Sequence, residues 1–263
     1  MQWEELTWAD FRDAVAETET CILTMGVIEK HSDHLPLGTD TLNVHKIACM
    51  AAEQEPAVVF PPFYFGQIYE ARCFPGTITI EPKLMLALLG GVLDEIGRNG
   101  FRKIIIVNGH GGNRHLIPFL AETTLWEQKP YSVYVAGRLT PEREEAWAAI
   151  TDTDYHGHAC ECETSVSLAN HPELVHMERV PDEPALPLGR LSHLPGNMSG
   201  AGWYANHPEH YAGDARTATA EKGQQLRELL VDTLVEFIAA VKADETLASL
   251  EEEFFEREDG LAR

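Results

Sequence analysis

Short, uninterrupted apolar runs alternating with longer stretches of helical periodicity confine this chain to one kind of core. The runs 21–28, 57–60, 103–107 and 131–136 lack the polar alternation of a half-exposed strand, so each reads as a strand buried on both faces. Between them, helical patterns cover 41–54, 82–99 and 114–127. In the second of these Pro82 suits the first turn, Leu84, Leu88 and Val92 share a stripe, and Gly100 is the stop. The expectation is an α/β fold with three layers, α/β/α, around a mostly parallel central sheet. Residues 76–80 read as a further short strand, and 141–150 and 162–170 as short helices. A stretch rich in glycine and proline, 181–217, is too long for an ordinary connection. It is expected to cover a site, with Asn197, Ser199, Gly200, Trp203 and Tyr204 lining a polar pocket. A final helix, 218–241, carries the core stripe Leu226, Leu229, Leu230, Leu234 and Ile238.

With 263 residues and 44% apolar content, one domain over 1–263 can bury a full core, leaving an acidic tail at about 248–263. The tail reads equally as a frayed terminus or as a segment docked on a neighbouring subunit through Phe254 and Phe255. A net charge of −22 argues against nucleic acid and anionic membrane as partners. No run approaches the roughly 20 apolar residues of a membrane span, and the N-terminus is acidic where a signal would be basic, so the expected location is cytoplasmic. Five cysteines without CxxC spacing fit reduced thiols.

Three clusters carry chemistry. Glu29, His31 and Asp40 lie in Glu29-Lys-His-Ser-Asp-His-Leu-Pro-Leu-Gly-Thr-Asp40, at the end of the first strand. On a strand Glu29 and His31 would share a face, and the following loop can return Asp40 to them. His110 stands in Asn108-Gly-His-Gly-Gly-Asn113, a glycine-rich turn at the end of another strand. His158 and Glu163 lie in His158-Ala-Cys-Glu-Cys-Glu-Thr-Ser165. Singly, each is a polar residue at a strand end or a helix cap; together they form a carboxylate and imidazole set suited to Zn²⁺ or Mn²⁺, with Asp40 the candidate bridge between two ions. Cys160 and Cys162 flank Glu161 beside this set; they could compete for zinc or oxidise, and small buried packing is the role expected of them.

These segments resemble the creatininase (creatinine amidohydrolase) family. The second matches its Asn-Gly-His-Gly-Gly-Asn without change, and Phe74-Pro-Gly-Thr77 fits as well. Departures fall at Lys30, Ser32 and Asp33 in the first segment and at Cys160, which replaces a glycine, in the third. The resemblance implies a two-metal hydrolase, usually zinc or manganese and often hexameric, acting on a small molecule. Glu29 and His110 would hold one ion, His31 and Glu163 the other, and Asp40 would bridge. Creatininase has a glutamate where this chain has Gly112, which leaves Glu163 to serve. His158 resembles the family's proton-transfer histidine, with a bridging hydroxide as nucleophile and the N–H groups of Gly111 and Gly112 facing substrate.

Asp154 stands where creatininase has a substrate-covering tryptophan, and Ala71 where many relatives have a histidine. Arg72, Glu70, Asp154, Tyr155 and His156 therefore point to a polar substrate other than creatinine. The expected reaction is amide-type C–N hydrolysis. The alternatives are C–C ring opening of a keto-inositol or similar cyclic ketone, a peptidase or deformylase role, and a metal-binding scaffold.

Overall fold

Three consecutive isoleucines account for the layering. Strand β3 (Lys103–Asn108) turns successive side chains to opposite faces, so Ile104 and Ile106 enter one apolar cluster and Ile105 another. Strand β1 (Thr20–Met25) divides in the same way, Leu23 and Met25 on one side and Ile22 on the other. The computed structural model of the protein describes residues 1–137, 139–196 and 198–261. With β2 (Val58–Val59) and β4 (Ser132–Val135) these strands form a parallel sheet of order β2-β1-β3-β4.

Helices α1 (Trp8–Thr18), α3 (Pro82–Arg98) and α4 (Leu116–Thr123) cover the first face. The second is covered by α2 (Thr39–Gln54), α5 (Pro141–Ile150), α6 (Glu161–Asn170) and α8 (Ala220–Ala243). This is the expected three-layer α/β/α arrangement. Among the described residues no helix is long and apolar enough to cross a membrane.

Several elements differ from the sequence reading. In α3 the buried seam is Met85, Leu89, Leu93 and Ile96, while Leu84 is 58% exposed. Lys83, Asp94, Glu95 and Arg98 mark the outer side of the helix, where Leu84 also falls, and the seam is the centre of the apolar arc opposite; each buried Leu or Ile there contributes roughly 1.5–3 kcal/mol. The helix expected over 114–127 is α4 between two 3₁₀ turns, Gly111–Arg114 and Thr124–Trp126. Pro118 has no N–H to continue a helix from upstream, and the Thr123 and Thr124 hydroxyls bond back to Leu120 O and Ala121 O at 2.6 and 2.7 Å, competing with the regular pattern. Residues 76–80 form no strand: Ile78 N bonds to Ile28 O at 3.0 Å, beyond the end of β1, and one such bond is too little for a ladder. The acidic tail is helix α9 (Thr246–Leu261), tied to the sheet by a Ser132 Oγ–H donated to Glu251 Oε2 at 2.5 Å.

The chain passes from β1 to β2 on one side and then to β3 on the other. The connections therefore diverge at the carboxyl ends of β1 and β3, the place where open α/β sheets leave a crevice.

Candidate metal centre

Strand β1 ends at Met25, three residues earlier than the apolar run suggests. The first turn of α2 packs directly on Gly26, where an added Cβ would lie 2.4 Å from Thr41 N, so the chain must leave the sheet there. Glu29 and His31 consequently stand on the loop beyond the strand, not on its face as expected. The loop is fixed by Glu29 N bonding to Leu37 O at 3.0 Å and by the left-handed backbone of Ser32, φ 55°. Asp40 enters from the first turn of α2. After β3, two asparagines brace the turn that presents His110: Asn108 bonds both His110 O (2.8 Å) and His110 N (3.1 Å), and Asn113 Oδ1 accepts from Gln67 N (2.9 Å). Gly112 is obligatory, since a Cβ there would sit 2.3 Å from His110 Nε2. His158 and Glu163 arrive just before and within the first turn of α6.

Six of these side chains converge. His110 Nδ1 lies 2.8 Å from Glu29 Oε1 and 2.9 Å from Asp40 Oδ2, and His31 Nε2 lies 3.0 Å from Asp40 Oδ1. His31, His158 and Glu163 form an adjoining group whose ligating atoms are within 4.8 Å of one another. Backbone carbonyls hold the opposite ring nitrogens: Gln67 O is 2.9 Å from His110 Nε2, and Glu29 O is 3.3 Å from His31 Nδ1. With a proton on each carbonyl-facing nitrogen, the nitrogens that face the carboxylates are lone pairs. Lone pairs aimed at carboxylates repel unless a cation lies between, and outer bonds of this kind orient metal-ligating histidines. Glu29 Oε1 and Asp40 Oδ2, both buried, have no hydrogen-bond partner. The residues thus fit divalent cations held by carboxylate oxygen and imidazole nitrogen.

The electrostatics agree. Burial alone would lower His31, but Asp40, Glu29 and Glu163 raise it to about 9. His110 is likewise raised well above its usual value, against burial, by Asp40 and Glu29. Burial raises Glu163 to about 8, with Cys160 and Asp40 adding to it. Without a cation, the acids draw protons onto the imidazoles. His158 is different: burial, with His31 and His210 nearby, pushes it to about 3, and its Nε2 faces Lys30 O at 2.7 Å. It is a neutral imidazole.

Two residues of the 181–217 stretch complete the site. An antiparallel bridge between His158 and Ala212 carries His210 inward, with φ 56°. Trp203, from the short helix α7 (Gly202–Asn206), donates Nε1–H to His210 Nδ1 at 3.1 Å, and His210 Nε2 faces Glu29 Oε2 at 2.5 Å. The sequence reading had Trp203 but missed His210; His207-Pro-Glu-His210, in a loop assigned to cover a site, was the available signal.

A cavity of about 1230 Å³ opens over these groups. Gly111, Glu70, Tyr155, His156 and Trp203 line it, as do Ser199 and Gly200. Glu70 accepts from Gln67 Nε2 at 2.6 Å, and Tyr155 OH pairs with His207 Nε2 at 2.8 Å. Arg72, Asp154 and Tyr204 do not line it; Arg72 and Asp154 are exposed. Asn197 lies outside the described residues. The wall opposite the metal-facing groups is aromatic, with Trp203 4.8 Å from the His207 ring and 6.2 Å from that of His158.

Known proteins resemble this chain in sequence and fold. The chain is 28% identical over 256 residues to the 3-dehydro-scyllo-inosose hydrolase of Thermotoga maritima, covering 90% of this chain and 82% of that one. It is 31% identical over 214 residues to the mycofactocin precursor peptide peptidase of Mycolicibacterium smegmatis, covering 78% of each. A crystal structure of creatinine amidohydrolase superposes with a TM-score of 0.78 at 23% identity, covering 92% of this chain and 98% of that one. Residues 4–238 match the family described as "Creatininase: Creatinine amidohydrolase", and the chain belongs to that family of metal-dependent hydrolases.

Proposed function

We propose that this protein is a two-metal hydrolase that cleaves an amide-type C–N bond in a polar substrate. The observation that carries the reading is the pair of buried oxygens Glu29 Oε1 and Asp40 Oδ2, without a hydrogen-bond partner, that both face His110 Nδ1, while Gln67 O holds the other nitrogen of that ring. Glu29 and His110 would hold one cation, His31 and Glu163 the second, and Asp40, whose two oxygens face different histidines, would bridge. The donor set suits zinc or manganese. Bound there, such cations activate water at neutral pH and polarise the carbonyl it attacks.

The chain's own groups do the rest. His158, neutral and buried against the cavity, is placed to take a proton and return it to the leaving nitrogen. The Gly111–Gly112 turn presents backbone to the cavity beside His110, where an N–H can meet a developing negative oxygen. Trp203 and Tyr155 supply an aromatic face and hydrogen-bonding edge to orient substrate.

Two observations bear on the substrate. Arg72 and Asp154, two of the five residues that pointed to a polar substrate, do not line the cavity, while Glu70, Tyr155 and His156 do. Its volume exceeds the upper end, about 1,000 Å³, of ordinary small-ligand pockets, which favours a substrate larger than a single small ring, such as the end of a peptide, as a second reading. The test is a substrate panel on metal-loaded enzyme: cyclic amides, peptides with modified ends and cyclic ketones. Amine release from an amide or peptide is expected. Turnover confined to cyclic ketones would overturn the C–N assignment, and no turnover on any class by fully loaded protein would overturn hydrolysis.

A further inference from the structure

Behind the cavity wall, three soft donors meet that the catalytic reading does not use. Cys160 is the N-cap residue of α6 and Cys162 lies in its first turn; both are buried, 2% and 4% exposed. They belong to the apolar cluster beneath α2 and α8, with Cys160 close enough to Glu163 to raise its pKa. The exposed His156 folds over them, its Nδ1 3.2 Å from Cys162 Sγ. The ligating atoms of His156, Cys160 and Cys162 all lie within 4.8 Å of one another.

We propose that His156, Cys160 and Cys162 form a separate zinc-binding site with two thiolates, one imidazole and a fourth position open to solvent. Zinc at about 2.3 Å from sulfur and about 2.0 Å from nitrogen places tetrahedral ligands about 3.5–3.8 Å apart, so the His156–Cys162 pair at 3.2 Å opens slightly and the Cys160 sulfur, within 4.8 Å of both, closes by at most about an ångström. Thiolate and imidazole together select zinc over the hard cations that carboxylates favour. The N-terminus of α6, where N–H groups are unpaired and the helix dipole is positive, favours the anionic sulfurs. Thr153 Oγ1, which donates to Glu161 Oε2 at 2.7 Å, lies 3.4 Å from the same His156 Nδ1 that faces Cys162; zinc would replace that contact, with the ring proton on Nε2. On binding, two S–H bonds are replaced by S–Zn bonds and two protons pass to solvent. The ion then pins the 153–158 turn, which carries Tyr155 and His158, to the helix that carries Glu163. The proposal stands independently of the two-metal reading.

The probe is Co²⁺, titrated anaerobically into metal-free, fully reduced full-length protein. Sulfur ligation gives a thiolate-to-cobalt charge-transfer band in the near ultraviolet, and a carboxylate and imidazole centre gives none. The expected result is a band saturating at one cobalt per chain, bleached by added Zn²⁺ and abolished by Cys162→Ser or Cys160→Ser. His156→Ala, an exposed substitution that leaves the core intact, is expected to weaken the cobalt responsible by about tenfold or more. Absence of the band at saturating cobalt would overturn the proposal. So would a band unchanged in both cysteine variants, which would place it on another thiol.

Discussion

Glu161 and Glu163 stand two positions apart in the first turn of α6, and their surroundings are opposites. Glu161 accepts from Asp152 N at 3.0 and 3.1 Å, from Thr153 N at 2.9 Å, from Thr153 Oγ1 at 2.7 Å and from Lys222 Nζ at 2.5 Å. Burial alone would raise it, but Lys222 and these donors bring it to about 2. Glu163, among the described residues, accepts one hydrogen bond, from Ala159 N, and is raised to about 8. The first acid is compensated inside the protein and anchors a loop. The second is left short of positive charge beside two more acids, Glu29 and Asp40. A carboxylate that the fold declines to satisfy is the mark of a site awaiting a cation, and the neighbouring glutamate shows that the same helix turn could have satisfied it.

Substitutions should separate the two kinds of acid. Asp40→Ala is expected to lower kcat/KM by about 10³-fold, about 4 kcal/mol of transition-state stabilisation, with both ions lost by elemental analysis; full metal content in that variant would break the bridging assignment. Glu163→Gln should remove one ion and most activity, while leaving the metal-free protein as stable as before or more so in denaturant titrations, because it discharges an uncompensated acid. Glu161→Gln should do the reverse, costing on the order of 3 kcal/mol by stranding buried hydrogen-bond donors and Lys222, with two ions retained by the folded fraction. If both glutamine variants lose stability alike, the contrast fails.

The pH dependence sharpens it. Glu161 has a depressed folded pKa of about 2, so its contribution is present above the unfolded value near 4.3 and lost as pH falls toward 2, in acid unfolding that Glu161→Gln should not show. His31 is raised to about 9, so in metal-free protein its ion pair with Asp40 stabilises fully below about 6.5 and is lost as pH rises through 9. A metal must displace that proton, so binding at pH 8 should release protons, and affinity should climb with pH up to about 9; calorimetry in buffers of different ionisation enthalpy reads this directly. The smallest change is expected from Trp203→Phe, which removes the donor to His210 Nδ1. A loss of about tenfold in metal affinity would mark the Trp203–His210–Glu29 chain as an orienting one, and no change would reduce Trp203 to a wall of the cavity.

What could be read in advance followed the range of the interactions involved. Buried parallel strands appear as continuous apolar runs whatever surrounds them, and β1, β3 and β4 lie where such runs occur. The helix α1 was not read from the sequence, and the inner face of α3 was misplaced by following Leu84, Leu88 and Val92 instead of the centre of the apolar arc opposite Lys83, Asp94 and Arg98. The extent of β1 was misread because its end is set by α2 packing on Gly26, and the stretch 76–80 because strand pairing depends on a partner edge that sequence does not reveal.

The sequence alone suggested the donor chemistry proposed for the centre. Glu29, His31 and His110 reach it from loops following two strands, and Asp40 and Glu163 from the first turns of α2 and α6, so short-range geometry suffices to suggest them. Tertiary structure decided the remainder. His210 meets Glu29 across 181 residues, and Trp203 enters only through the chain segment bridged to His158 at Ala212. Which acid was paired and which left bare also waited on the fold, because Lys222 lies 61 residues from Glu161 and reaches it only once α8 packs on α6. Charge compensation is a property of spatial neighbours, and adjacent positions on one helix turn can therefore have opposite fates.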